Sequence, residues 1–140
     1  GARLLGQVIE SICAGTVEYT PQDHALATHA PRLDKRDGIV DWTKPAQTIH
    51  DHIRGMSPWP GAYVVSSAGP LKLHGSQVTT GVGEPGVVAA LSDLGPIVAC
   101  GEGAVCLTGL QRPGKRRVTG TEYLRGAELR VGEPLAPGVS

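Results

Sequence analysis

Between residues 62 and 111 the chain is cut at short intervals by Gly69-Pro70, Pro85-Gly86, Gly95-Pro96, Gly101 and Gly103. Glycine and proline at such spacing leave room for strands and tight turns, and little room for long helices. The segments between them are β-prone: 62–66, 71–78, 86–91, 97–100 and 104–111. In 71–78, Leu71 and Leu73 alternate with Lys72 and His74, which is the period of a half-buried strand. Five short strands so closely placed predict a small barrel. Composition agrees: the 140 residues include 20 Gly and 11 Pro, no Phe, and only 4% aromatics. That profile excludes a helical bundle but is long enough for one domain with a real core.

Helical signals flank the strands. Leu5, Val8, Ile9 and Ile12 form one stripe over residues 4–14, with Gly15 as a C-cap. Nothing nearby in sequence offers that stripe a partner. Residues 20–38 have no period and read as a linker punctuated by Pro21, Pro31 and Gly38. Ile39-Val40-Asp41-Trp42 is a short extended piece. A helix follows Pro45, with Ala46, Ile49, Ile53 and Met56 on one face, and Gly55 and Pro58 close it. A last short helix is expected over 119–126, and the Gly- and Pro-rich tail from Gly132 is expected to fray.

One of the two tryptophans, Trp59, lies between Pro58 and Pro60. It either plugs a seam or is displayed to stack on a ligand. Large aromatics are mostly buried, so the expectation is a plug where the Pro45 helix meets the first strand.

Familiar chemical motifs carry little here. Gly81-Val82-Gly83-Glu84-Pro85-Gly86 matches G-x-G-x-x-G, but Pro85 and a β-branched run follow where a phosphate-binding helix should start, so it reads as a turn. His50 and His52 are two apart on a helix and face different ways, and no Cys-x-x-Cys or His-x-x-x-His occurs, so no metal is expected. No Gly-x-Ser-x-Gly frames a nucleophile, and Ser11, Ser57 and Ser66 lack an activating context. Cys100 and Cys106 lie in apolar runs and, with Cys13, read as free thiols of a reducing, cytoplasmic setting. No apolar run is long enough to span a bilayer, and no signal peptide is visible.

Charge is neutral overall, so any polyanion partner must rest on local clusters. Arg112, Lys115, Arg116 and Arg117 put four cations in six residues with no acid among them, around a Pro113-Gly114 turn. Arg32, Lys35 and Arg36 form a second group, partly offset by Asp34 and Asp37. Such clusters are either solvated loops or phosphate contacts. A five-strand barrel with basic loops has the oligonucleotide-binding layout. Aromatics on the barrel face are scarce, so nucleic acid would be held through backbone and shape, as a folded RNA is.

Three stretches carry a resemblance: "ATHAPRLDKRDGIVDWTKPAQTIHDHIRGMSPWPGAY", "GEPGVV" and "VACGEGAVCLTGLQRPGKRRVTGTEYLRG". Over about Thr20 to Glu133 the chain resembles the C-terminal domain of methionyl-tRNA formyltransferases. The most specific parts are Asp41-Trp42 ahead of Pro45-Ala46, the Pro-Trp-Pro-Gly-Ala turn, and the Gly-Lys-Arg-Arg turn before the last helix. The resemblance implies a mainly β fold with short flanking helices, a small open Greek-key barrel similar to an oligonucleotide-binding fold. It implies that residues 1–19 are the last helix of a catalytic domain absent from this sequence, 20–38 an interdomain linker, 39–133 the barrel and 134–140 a tail. The implied partners are initiator methionyl-tRNA and the N-terminal catalytic domain, with no membrane. The implied tRNA-binding residues are Arg32, Lys35, Arg36, Arg112, Lys115, Arg116 and Arg117. In that family the catalytic half takes 10-formyltetrahydrofolate and formylates the amino group of methionyl-tRNA. Its catalytic residues and its cofactor belong to that half, so none is assigned here, and this fragment alone is expected to be inactive. Related domains also occur in enzymes that formylate sugar nucleotides and in formyltetrahydrofolate dehydrogenase, where the barrel would be structural. A free-standing interaction module is the remaining alternative. The basic turn favours the tRNA enzyme, whose substrate offers a run of phosphates.

Overall fold

The computed structural model describes residues 1–126 and 129–138. The chain divides into two compact units, Gly1–Pro31 and Arg32–Ser140. In the first, α1 (Ala2–Ala14) ends at Gly15, whose φ of 68° lets its N–H and that of Thr16 turn back to the Ile12 and Ser11 carbonyls. No residue of α1 is buried, so its apolar stripe is exposed. A single 3-10 turn, His24–Leu26, is capped by the Asp23 carboxylate, which accepts from the Ala25 N–H at 2.9 Å.

The second unit is a curled antiparallel sheet with helices packed on it, a small open barrel. A 3-10 turn, Arg36–Gly38, leads in. Then come α2 (Ala46–Gly55), β1 (Ala62–Ser66), β2 (Gly69–Thr79), β3 (Val88–Ser92), β4 (Gly95–Ala99), β5 (Ala104–Gln111), β6 (Val118–Thr119), α3 (Gly120–Gly126) and β7 (Ala136–Pro137). The sheet order is β3-β4-β5-β2-β1-β7, with β6 also on β5. β2 is joined to β3 by residues 80–87 yet pairs with β5, which is the Greek-key arrangement. The Gly-x-Gly stretch in that connection enters β3 and opens no helix.

Alternation puts Ala62 and Val64 of β1, Leu71 and Leu73 of β2, and Val105, Leu107 and Leu110 of β5 into one core with Val88 and Val98. Ala46, Ile49 and Ile53 of α2 cover it, as their spacing requires. Cys100 and Cys106 are buried as small apolar groups, and Cys13 is exposed. Burial pushes the Cys100 thiol up to about 11.

Two expectations are corrected. Trp59 is 53% exposed and plugs nothing. The buried tryptophan is instead Trp42, 3% exposed and ahead of α2, whose carbonyl accepts from the Gly101 N–H at 2.9 Å. A Cβ on Gly86, at φ +86°, would stand 2.8 Å from the Trp42 ring, so the ring closes directly on bare backbone. The Ala46 N–H then donates to the Glu102 carbonyl at 2.8 Å, tying the start of α2 to the β4–β5 turn. The second correction is the tail, which is ordered structure as far as Gly138. The Gly132 N–H donates to the Val88 carbonyl and the Leu135 N–H to the Gly86 carbonyl, while Ala136 and Pro137 pair with Val65 and Val64. The tail therefore ties β3 to β1, the two edges of the curl, and Leu135, 1% exposed, anchors it in the core. The expectation of fraying at residues 139 and 140 lies outside the described residues.

Candidate nucleic-acid interface

The sheet register brings polar residues from three strands into one row. Tyr63 of β1 stands opposite Lys72 of β2, and Lys72 stands opposite Gln111 at the end of β5. Ala62, Val64, Leu71, Leu73 and Leu110 beside them are core residues, so this row faces outward. The loop 112–117 leaves β5 at one end of the row. At the other end Ile39 bridges to Tyr63, and Gly38 packs against the Gly61 carbonyl and the Tyr63 ring. The segment carrying Lys35 and Arg36 and the loop carrying Lys115 are thus fixed at the two ends of one rim. Between them lies a cavity of about 250 Å³ lined by Tyr63, Pro70, Lys72, Gln111, Arg112, Pro113 and Gly114.

Each cation has its own environment. Arg32, Lys35 and Arg36 are exposed. The neighbouring acids are occupied locally: an Asp37 oxygen accepts from the Asp34 N–H, and an Asp34 oxygen from the Arg36 N–H, each at 2.6 Å. Both carboxylates act as turn caps. Among the described residues, the ion pairs are Lys44–Asp41, Arg54–Asp51 and Arg116–Glu122, so only Arg116 of these cations is paired.

The 112–117 loop is braced from beneath. Gln111 contacts His74 Nε2 through Oε1 at 2.8 Å and donates from Nε2 to the Lys115 carbonyl at 2.8 Å. Arg112 is half-buried with its guanidinium 5.2 Å from the Tyr123 ring centre, a cation–π distance. Arg117 lies over Gly75 and Gly109 and donates to the His74 carbonyl at 3.4 Å; a Cβ on Gly109 would come within 3.0 Å of its Nη2. Arg116 reaches Glu122 at 2.9 Å. Lys115 is exposed, and its main chain alone is tied down.

Glu122 also completes the start of α3. It accepts from the Thr119 N–H at 2.9 Å, and its own N–H donates to Thr119 Oγ1 at 3.1 Å, a reciprocal capping box. The Thr119 N–H, and then Arg116, hold its carboxyl at about 2.

The model of the formyl transferase C-terminal domain matches residues 32–128. The chain belongs to that family. Methionyl-tRNA formyltransferase of Trichlorobacter lovleyi is 39% identical over 137 residues, covering 98% of this chain and 43% of that protein. The Moorella thermoacetica enzyme is also 39% identical, covering 96% of this chain and 44% of that protein. The Bacillus subtilis enzyme is 36% identical over 138 residues, with 96% and 44% covered. The chain thus spans less than half the length of these curated relatives. Among solved structures, a variant of HypX from Aquifex aeolicus superposes with a TM-score of 0.64 at 22% identity, over 90% of this chain and 24% of that one. HypX in complex with tetrahydrofolic acid gives 0.60 at 22% identity, over 83% and 21%. At that identity the likeness concerns the fold.

The family domain gathers the two basic groups that the sequence keeps far apart, and adds Lys72 between them. Lys72 was visible only as the polar half of an alternating strand. Its place in the row depends on pairing with β1 and β5, which no local pattern encodes. Among the described residues no group of three or more His, Cys, Asp or Glu converges, and no helix is long and apolar enough to cross a membrane.

Proposed function

We propose that this chain is the tRNA-contacting C-terminal part of a cytoplasmic methionyl-tRNA formyltransferase. The whole enzyme would transfer a formyl group from 10-formyltetrahydrofolate to the amino group of initiator methionyl-tRNA. Folate binding and chemistry would belong to an N-terminal catalytic half, and no catalytic residue is assigned to this chain. The observation that carries the reading is the rim: Lys35, Arg36, Lys72, Lys115 and Arg117 share one edge of a barrel whose relatives bear that name, and none of the five is in an ion pair among the described residues.

Exposed cations on a braced surface suit phosphates, which position an RNA without reading its sequence. Arg112 and Arg116, engaged with Tyr123 and Glu122, hold the shape of the loop more than they offer free charge. If about five phosphates are met, the log–log dependence of affinity on salt should have a slope of roughly −4. The test is a titration of labelled tRNA at several salt concentrations, with Lys35, Lys72 and Lys115 changed together to Ala beside wild type. The triple variant should bind all tRNAs more weakly and flatten the slope by about 2 to 3 units. Equal slopes and equal affinities would take the rim out of RNA binding and favour a structural role beside a small-molecule enzyme.

A further inference from the structure

Trp59 has no role in the core and none in the phosphate contacts. Its indole is 53% exposed, whereas the other tryptophan is 3% exposed. The loop that carries it is held firmly. The Ser57 N–H donates to the Arg54 carbonyl at 3.3 Å, and the Gly61 N–H closes back on the Met56 carbonyl at 2.9 Å. Pro58 and Pro60 fix φ on either side of it. A large ring displayed on a stiff tether has little entropy left to lose when a ligand covers it.

Its surroundings say what that ligand is. Gly61, two residues on, is packed against by Gly38, which follows Arg36 closely in sequence. A Cβ on Gly61 would lie 4.0 Å from Cδ of Lys72. The loop therefore enters the basic rim between the Lys35–Arg36 segment and Lys72. The acids beside Lys35 and Arg36 in sequence, Asp34 and Asp37, have carboxylates turned onto backbone N–H groups. An exposed aromatic on a loop bounded by unpaired cations fits a nucleotide: the base stacks on the ring and the flanking phosphates meet the lysines.

We propose that Trp59 is the stacking platform for an unpaired base of the RNA held on the rim. The proposal rests on the tRNA reading above and deepens it. The rim then does more than follow phosphates, because it selects RNA that offers an unstacked base at a fixed place beside the backbone.

The experiment titrates labelled initiator tRNA transcript, and separately a blunt RNA duplex, with the 140-residue chain and with Trp59→Phe, Trp59→Leu and Lys72→Ala. Trp59→Leu should weaken tRNA binding by about tenfold, and Trp59→Phe by no more than about threefold, with the salt slope unchanged. Duplex affinity should stay level in both. Tryptophan emission should be quenched on adding tRNA to wild type and not in either Trp59 variant, where Trp42 alone remains. Far-UV circular dichroism of the two variants should match wild type. Wild-type tRNA affinity in Trp59→Leu, with Lys72→Ala weakened, would overturn stacking and leave the RNA reading standing. Parallel loss on tRNA and duplex would also overturn it, since no unpaired base would then be involved. If wild type binds neither RNA, the underlying reading fails and the platform with it.

Discussion

Trp42 and Trp59 flank the same helix and live in opposite worlds. Trp42 sits where the lead-in to α2 meets the β3 and β4 ends, its ring against Gly86 and its carbonyl on Gly101. Trp59 sits just past the other end of α2, half in solvent, on the loop that enters the basic rim. Both are large aromatics near a turn. What separates them is the partner backbone: Gly86 admits the Trp42 ring, whereas Trp59 stands exposed between two prolines. The interior of this domain is built by close approach of backbone to ring, and the rim by display.

Removing the rings should expose that contrast most strongly. Trp42→Ala should cost about 3 to 5 kcal/mol in urea unfolding, through lost contacts and a cavity. Trp59→Ala should cost less than about 1 kcal/mol, as surface changes do. Equal losses for the two would break the comparison.

The tail sharpens it next. Leu135 is buried with the core, so Leu135→Ala should cost about 2 to 5 kcal/mol by the same measurement. A near-zero effect would return the tail to the frayed state expected from its composition.

A smaller effect belongs to the capping box at α3. Thr119→Ala should cost roughly 1 kcal/mol. Glu122 adds a pH signature. Its carboxyl is held at about 2 in the folded chain, below its ordinary 4.5, so its contribution is present above 4.5 and is lost as pH falls through about 2. Glu122→Gln should flatten the acid limb of a stability-versus-pH curve between those values. An unchanged acid limb would separate Glu122 from both Thr119 and Arg116.

The least perturbing probe is thiol labelling. Cys13 is exposed, and Cys100 is buried with its thiol raised to about 11. At pH 8, iodoacetamide should modify Cys13 readily and spare Cys100 until the chain unfolds, because only the thiolate reacts and only if reached. Rapid native labelling of Cys100, read by peptide mass, would mean that the core opens.

The strands were legible because their signals are local. Alternation in 71–78 and glycine–proline joins place β1 to β5 within a few residues, and the Ala46, Ile49 and Ile53 stripe places the covering face of α2. Gly15 and the short 119–126 stretch mark helix ends for the same reason, whereas the Thr119–Glu122 capping pair came only with the structure. What stayed hidden depends on distant partners. The role of residues 132–137 exists only because Val88 and Val64 are waiting at two sheet edges. Which tryptophan is buried was decided by Gly86, far along the chain from either of them. The basic residues of 112–117 were evident as a cluster, but their separate duties were not. Tyr123, Glu122 and the Gly75–Gly109 pair set those duties, and folding alone brings them under the loop.

RNA bound as proposed would meet the displayed rim and leave the built interior untouched. Amide chemical-shift mapping of the nitrogen-15-labelled chain, with initiator tRNA added stepwise, tests it directly. Perturbations are expected at residues 34–38, 59–63, 72–74 and 111–117, with Trp42 and the β3–β4 hairpin silent. Perturbations centred on Val88–Ser92 and Gly95–Ala99, or none at saturating tRNA, would contradict it.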